Sequence, residues 1–191
     1  MSARLDAQMA FLMEADKLKA VTRATRNHDQ RFENSAEHSW HLALFALVLA
    51  EHADETVDVA RVIKMLLIHD IVEIDAGDAP IFGNVDETAT KAAEAAAAER
   101  LFGLLPAEQA DALLTLWNEF EANQTADAKF AKSLDRFQPP NLNLASGGGS
   151  WTDYNVDYAT FETRLSPKIS RGAPKLWTWL QPKVLAFFAT R

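Results

Sequence analysis

The 191-residue chain contains no cysteine and has little positive charge. The lack of cysteine excludes disulfides, thiolate zinc sites and cysteine nucleophiles, so any metal has to be held by His, Asp, Glu and water. Its 19 Lys and Arg residues are outnumbered by 27 Asp and Glu, which gives a net charge of −8. Nucleic-acid binding depends on clustered basic residues, so we predict no nucleic-acid partner. A small phosphate compound stays compatible with this composition, because one or two local cations are enough to bind it.

Long apolar segments are also missing. The longest apolar run, Leu42–Ala50, is far too short to span a bilayer. The first residues carry early charge and lack the apolar core of a signal peptide. We therefore predict a cytoplasmic protein that has no membrane partner. The length suits one domain, and we predict a single domain over residues 1–191, with its core at about 15–140 and the segment 141–191 packed on it.

The apolar pattern is helical throughout, and no segment shows the period of two that is typical of strands. Capping residues (Asn34 or Ser35, then Thr56 and Asp86) and the turn residues predict an all-α fold of about eight helices. The predicted helices cover residues 3–20, 35–53, 56–77, 86–102, 106–123, 125–137, 157–166 and 173–190. Loops are predicted at 21–34, at 77–85 and at 139–156, the last opening with two prolines and carrying Gly147–Gly149 at its tip.

His69 and Asp70 are adjacent within the apolar helical run Val62–Glu73. A buried carboxylate is stable only when it is paired or coordinated to a metal. A nitrogen ligand beside an oxygen ligand, both in a segment that should pack into the core, therefore favours a divalent-cation site. A lone histidine in such a run is more often structural, so this interpretation depends on further ligands that converge from other helices.

Two more residues complete a candidate ligand set. His38 lies near the start of the second predicted helix, and Asp135 lies near the end of the sixth. Two imidazole nitrogens and two carboxylate oxygens suit one ion of Mn, Co, Fe, Ni or Zn, and the ligand chemistry alone does not choose among these metals. Glu73 lies one helical turn after His69 and on the same face, where it can orient water or move a proton. Asp78 follows as a candidate second acid or base.

The segments Glu37–Trp40 and His69–Asp78, followed by the late Asp135, resemble the HD-domain metal-dependent phosphohydrolases and, more narrowly, the branch of 5′-deoxynucleotidases. The similarity covers residues 15–140, most of the chain. It implies that the metal ligands are His38, His69, Asp70 and Asp135, and that Glu73 and Asp78 assist the attacking water and the leaving group. It also implies that Arg23 contacts the substrate phosphate. The branch often carries a tryptophan close after that arginine, where this chain has Ala24 and Thr25.

The resemblance implies a phosphomonoesterase that removes phosphate from (deoxy)ribonucleoside 5′-monophosphates by attack of a metal-bound water. A phosphodiesterase or a nucleoside triphosphohydrolase would use the same metal chemistry. A metal- and nucleotide-binding sensor domain without turnover is an alternative of another class. The apolar faces of the first and last helices, together with the dimeric state of many relatives in the branch, predict a homodimer.

Two conspicuous features are interpreted as structural. Trp40 is predicted to anchor the core beside the site. Gly147–Gly149 is predicted to form a mobile flap or a tight turn, since it lacks the lysine and the strand–loop–helix context of a phosphate-binding P-loop.

Overall fold

Helices dominate the computed structural model, which describes residues 2–190. The α-helices are α1 (Ser2–Ala15), α2 (Ser35–Leu49), α3 (Val59–Ile68), α4 (Glu73–Ala76), α5 (Glu87–Phe102), α6 (Ala107–Ala122), α7 (Ala126–Ala145), α8 (Ser150–Asp153), α9 (Tyr158–Ser170) and α10 (Pro174–Ala189). Among the described residues, eight of these helices have ten residues or more, whereas α4 and α8 are single turns. The prediction of an all-α fold with about eight helices is confirmed.

The predicted loop at 21–34 is a small β-hairpin instead. Strand β1 (Thr22–Arg26) pairs antiparallel with β2 (Phe32–Asn34), and the register sets Thr22 opposite Asn34 and Arg26 opposite Phe32. The turn between the strands carries Gln30 at a positive φ of 68°. The sequence did not predict these strands because the segment is polar. Several of its side chains form ion pairs, so it lacks the alternation of apolar residues that indicates a strand.

The predicted N-cap residues of the helices are partly confirmed. Asn34 caps α2 through a capping box, in which its side chain accepts from the Glu37 amide while the Glu37 carboxylate accepts from the Asn34 amide. Asp86 caps α5 as predicted. The prediction of Thr56 as the cap of α3 is wrong, because Asp58 takes that role by accepting from the Arg61 amide.

The helix predicted at 56–77 is interrupted at the candidate metal ligands. Helix α3 ends at Ile68, and the chain passes through a turn before α4 begins at Glu73. The carbonyl of His69 accepts from the indole Nε1 of Trp117 on α6 at 3.2 Å, which provides it with a partner at the point where the helix ends. Gly77 ends α4, as predicted, with a positive φ of 77° that glycine adopts without steric cost.

Helix α7 runs through the two prolines that were predicted to stop it. It extends to Ala145, so the predicted loop 139–156 shrinks to a tight turn at Gly147–Gly149 followed by α8. All three glycines of this turn have positive φ, the left-handed region that favours glycine. Beside the prolines, the Asn141 side chain donates to the Phe137 carbonyl at 2.7 Å. Helix α9 likewise continues past Pro167, beyond its predicted end at 166.

The core lies where α2, α3 and α7 meet, with Leu42, Met65 and Leu134 fully buried among them. Helices α9 and α10 pack against α7 and against each other. The prediction that Trp40 anchors the core is wrong, because its ring is 60% exposed on the outer face of α2. Within residues 2–190, none of the helices combines the length and the apolar character that crossing a membrane requires.

Candidate metal centre

Three separate helical segments bring the four candidate ligands together. His38 comes from the first turns of α2, His69 and Asp70 from the turn after α3, and Asp135 from the middle of α7. His38 Nε2 lies 3.1 Å from Asp135 Oδ1, and His69 Nε2 lies 3.8 Å from the same oxygen. Asp70 approaches with one oxygen 3.0 Å from His69 Nε2 and the other 4.0 Å from His38 Nε2. All four residues are buried.

The histidines are oriented so that each keeps one ring nitrogen for the centre. His69 Nδ1 lies 2.8 Å from the Leu66 carbonyl; since a carbonyl can only accept, Nδ1 carries the hydrogen and donates this hydrogen bond. His38 Nδ1 lies 3.2 Å from Gln138 Oε1, another acceptor. In both rings Nε2 therefore points to the shared space, and His69 Nε2 is buried there without a hydrogen bond. Such outer contacts fix the tautomer of metal-binding histidines, so the donor set fits a divalent ion.

The charged groups around the centre favour a bound cation. Burial alone would lower the pKa of His69, but the negative charges of Asp70 and Asp135 raise that pKa to about 10. Burial would raise the pKa of Asp70, yet the charges of His69 and Arg23 lower it to about 2. The carboxylates thus stabilise positive charge at the centre. A bound divalent ion would supply such a positive charge.

Glu73 and Asp78 lie beside the ligands, on the cavity side. Glu73 Oε2 accepts from the Ser35 hydroxyl at 2.5 Å, and burial together with the charge of Asp70 raises the pKa of Glu73 to about 9. Burial is also the main cause of the raised pKa of Asp78. Two acids with perturbed pKa values next to a candidate metal are typical of a catalytic centre.

Arg23 projects from β1 into the middle of these acids. Its Nη1 donates to Asp70 Oδ2 at 2.8 Å and lies 3.8 Å from Glu73 Oε1 and 3.6 Å from Asp78 Oδ1. Burial alone would lower the pKa of Arg23, but the surrounding carboxylates, Asp70 first, raise it. The structure therefore brings the predicted phosphate-binding residue into contact with both predicted catalytic acids.

Sequence reasoning missed a buried polar layer behind the ligands, formed by Glu33 and Gln138. Gln138 Nε2 donates to Glu33 Oε1 at 2.7 Å, while its Oε1 faces His38. Glu33 Oε2 in turn lies 3.5 Å from His38 Nδ1 and 3.6 Å from Arg23 Nε. The spacing of three residues between Asp135 and Gln138 was a signal for this layer, but the helix was predicted to end at 137, before Gln138.

A cavity of about 740 Å³ opens onto this centre. The ligands His69, Asp70 and Asp135 form part of its lining, as do Arg23, Glu73 and Asp78. Its opposite wall carries Lys132, which pairs with Glu121 at 3.1 Å, and Arg136, whose Nε lies 3.1 Å from Asp135 Oδ2. A small anionic molecule can therefore reach the candidate ligands from solvent.

Comparison with known proteins places this arrangement in a family. The family model described as "HD domain" matches residues 15–177. A crystal structure of a predicted metal-dependent phosphohydrolase from Magnetospirillum magnetotacticum superposes with a TM-score of 0.88 at 48% identity, covering 96% of this chain and 95% of that one. A conserved hypothetical protein from Pyrococcus furiosus shares the fold, with a TM-score of 0.55 at 22% identity over 85% of this chain and 99% of that one.

Curated relatives are similar over a shorter part. The 5′-deoxynucleotidase HDDC2 of Homo sapiens is 30% identical over 130 residues, and that of Bos taurus is 32% identical, each over 67% of this chain. The chain spans 62% of the length of these two relatives. Since the family model covers most of the sequence and the related crystal structure covers nearly all of it, the chain belongs to the HD domain family.

Proposed function

We propose that the protein is a metal-dependent phosphohydrolase that removes phosphate from (deoxy)ribonucleoside 5′-monophosphates. The observation that carries this proposal is a buried group of two imidazoles and one carboxylate whose ligand atoms lie within 4.8 Å of one another, with an Asp70 oxygen 3.0 Å from His69 Nε2. Arg23, Glu73 and Asp78 line the same cavity. The names of the HDDC2 relatives, which are 5′-deoxynucleotidases, support the choice of a nucleotide monophosphate.

One divalent ion would be held by His38, His69, Asp70 and Asp135. The first two offer Nε2, and the ligand atoms of His38, His69 and Asp135 lie within 4.8 Å of one another. A mixed nitrogen and oxygen set suits Mn, Co, Fe, Ni or Zn. Bound there, such an ion lowers the pKa of water and stabilises negative charge on a phosphoryl group.

The remaining residues act on the substrate and on protons. The positive charge of a bound ion would lower the raised pKa of Glu73, so that its carboxylate can take the proton of the attacking water as the water oxygen bonds to phosphorus. Asp78 gives a proton to the sugar oxygen when the bond between that oxygen and phosphorus breaks. Arg23 holds the phosphate. Its Nη1 donates to Asp70 Oδ2 and its Nε is buried 3.6 Å from Glu33 Oε2, so Nη2 is the nitrogen that remains for phosphate oxygens. The Ser35 hydroxyl fixes the Glu73 carboxyl on the side away from Arg23 Nη1.

A phosphate-release assay tests the proposal. The protein loaded with Mn²⁺ or Co²⁺ is incubated with ribo- and deoxyribonucleoside 5′-monophosphates side by side, and phosphate and nucleoside are quantified. We expect both products, and we expect His69→Ala to lose the metal as well as the activity. His28→Ala, at an exposed position of the hairpin turn, is the matched control and should behave as wild type.

The alternatives differ in their products. Inorganic triphosphate released from a nucleoside triphosphate would indicate a triphosphohydrolase. A linear monophosphate formed from a cyclic or bridged substrate would indicate a phosphodiesterase. Nucleotide binding with no turnover of any substrate would favour the sensor domain. Phosphate release from none of the monophosphates by folded, metal-loaded protein would end the present proposal.

We propose further that the chain forms one domain and a homodimer. Exposed apolar side chains support the dimer: α1 presents Leu5, Met9, Leu12 and Met13, and α2 presents Trp40, Leu44, Leu47 and Val48, each set on one helical face. Stripes of this kind are typical of protein interfaces. The cytoplasmic location stays a prediction from the sequence.

A further inference from the structure

A second cavity, here called the hairpin groove, lies beside the one that holds the candidate metal centre. It measures about 540 Å³ and runs between the β-hairpin and the turn that follows α8. Arg23, Asp78 and Tyr154 line both spaces, and so does Ala24. At this shared boundary Ala24 contributes only a single methyl group. A molecule held at the centre by its phosphate can therefore extend into the hairpin groove.

The walls of the hairpin groove are aromatic and carry little uncompensated charge. Tyr154 on one wall is 39% exposed, and Phe32 on the other is 41% exposed. The guanidinium of Arg26 lies 4.2 Å above the Phe32 ring and pairs with Asp153 at 3.2 Å. Since the cation already has both a ring and a carboxylate as partners, the groove offers flat apolar surface rather than a site for a second phosphate.

The segment that carries Tyr154 is held rigidly. Asn143 on α7 accepts from the Ser150 amide at 3.2 Å and donates to the Ser150 hydroxyl at 2.9 Å, which fixes the start of α8. Trp151, one residue later, is buried against the rings of Phe161, Phe187 and Phe188. The amide of Tyr154 donates to the Ser150 carbonyl at 3.0 Å. The exposed ring thus projects from an anchored turn, so little conformational entropy would be lost on binding.

We propose that the hairpin groove is the nucleobase subsite and that the base of the substrate stacks on the ring of Tyr154. The inference rests on the proposed nucleotide substrate and adds the residue that recognises its base. Stacking on an aromatic side chain binds any base, because every base offers a flat π surface. The subsite therefore predicts preference for nucleotides over sugar phosphates, with modest discrimination among bases.

The test compares substrates that differ only in the base. Deoxyribose 5-phosphate and deoxynucleoside 5′-monophosphates are given to wild type, Tyr154→Ala and Tyr154→Phe. We expect Tyr154→Ala to lower kcat/KM for the nucleotides roughly 5- to 150-fold, the range for loss of one stacked base, and to leave the sugar phosphate unchanged. Tyr154→Phe keeps the ring and should restore the preference. Trp179→Ala, which removes an exposed aromatic ring outside both cavities, is the matched control.

Calorimetric binding of the same compounds separates this inference from the proposed function. Tighter binding of nucleotide than of sugar phosphate, lost in Tyr154→Ala, supports the subsite even if turnover is absent. Equal binding of the two compounds by wild type, or an equal loss for both in Tyr154→Ala, overturns the subsite while leaving the phosphatase proposal standing if phosphate is still released.

Discussion

At the scale of single residues, Glu73 is the clearest example of a side chain whose proposed role depends on its surroundings. Its carboxyl is buried, accepts from Ser35 and lies beside Asp70, yet it is placed outside the proposed ligand set. A residue that handles protons without holding the metal should be separable from metal binding by mutation.

We expect Glu73→Gln to lower kcat by about 10²- to 10⁴-fold, the usual contribution of a positioned acid or base, while leaving metal content near that of wild type. Phosphate release and elemental analysis of the same preparation measure the two effects. Full activity in Glu73→Gln would remove the proton-transfer role, and loss of the metal would make Glu73 part of the metal-holding structure.

Gln138 is the residue whose role emerged only from the structure. Its side-chain oxygen faces His38 Nδ1 and its side-chain nitrogen donates to Glu33 Oε1, and all three residues are buried. We expect Gln138→Leu to weaken metal affinity about 10- to 100-fold, as loss of a contact behind a ligand generally does. Competition with a calibrated chelator gives the affinity. Equal affinity in Gln138→Leu and wild type would refute the positioning role.

His69 and Asp70 were accessible from sequence because they are polar types in a run that should be buried. The other five predicted site residues were identified from their spacing and from the resemblance to the family, and Arg23 from the resemblance alone. The layer of Glu33 and Gln138 was not, since each looks like an ordinary surface residue until the hairpin and the extended α7 bring them behind His38. For the seven predicted site residues, the roles as ligands or catalytic groups stay proposals. Their proximity to one another is a property of the fold.

At the scale of elements, local rules located the helices and failed at their interruptions. Capping chemistry correctly gave the starts of α2 and α5, because a cap depends only on neighbouring residues. The predicted end of α7 at residue 137 was wrong. Pro139 and Pro140 lack amide donors, but they do not prevent the helix from packing into the core, where Phe137 and Pro140 are buried. Tertiary packing thus outweighed the local penalty of two prolines.

The capping box of α2 offers a quantitative test at this scale. Asn34→Ala removes the acceptor for the Glu37 amide and should lower the free energy of unfolding by about 1 kcal/mol, a typical value for a lost helix cap. Urea denaturation at constant pH measures the change. Asn84→Ala, in the loop before α5, is the control and should be nearly neutral; an equal change in both variants would mean that the cap contributes nothing specific.

At the scale of the whole molecule, the metal should stabilise the fold through mass action. Its proposed ligands are assembled only in the native state, so an ion present at a hundredfold excess over its Kd adds about 2.7 kcal/mol. For a chain of this size that is roughly 5–10 °C in Tm. We expect a chelator to lower Tm by this amount and re-addition of Mn²⁺ or Co²⁺ to restore it. The His69→Ala variant should show no response; a wild-type Tm insensitive to every ion would argue against a resident metal.

The oligomeric state is the second expectation at this scale. We expect light scattering after size exclusion to give twice the mass of the 21.2 kDa chain. Leu47→Glu on α2 and Leu12→Glu on α1 each place a charge within one exposed apolar stripe. The variant that yields monomers identifies the pairing face, since a buried unpaired charge is costly. Monomeric wild-type protein at micromolar concentration would refute the homodimer.

Ligands drawn from distant parts of the chain affect when the protein can acquire its ion. His38 and Asp135, whose side chains lie 3.1 Å apart, are separated by 97 positions in sequence. A nascent chain on the ribosome lacks part of the proposed ligand set until α7 has emerged, so an ion bound at this site would load only after translation of that helix. With these ligands, the species first exposed to cellular proteases would be the ion-free form, and we expect ion supply in the cell to influence how much of the newly made protein survives.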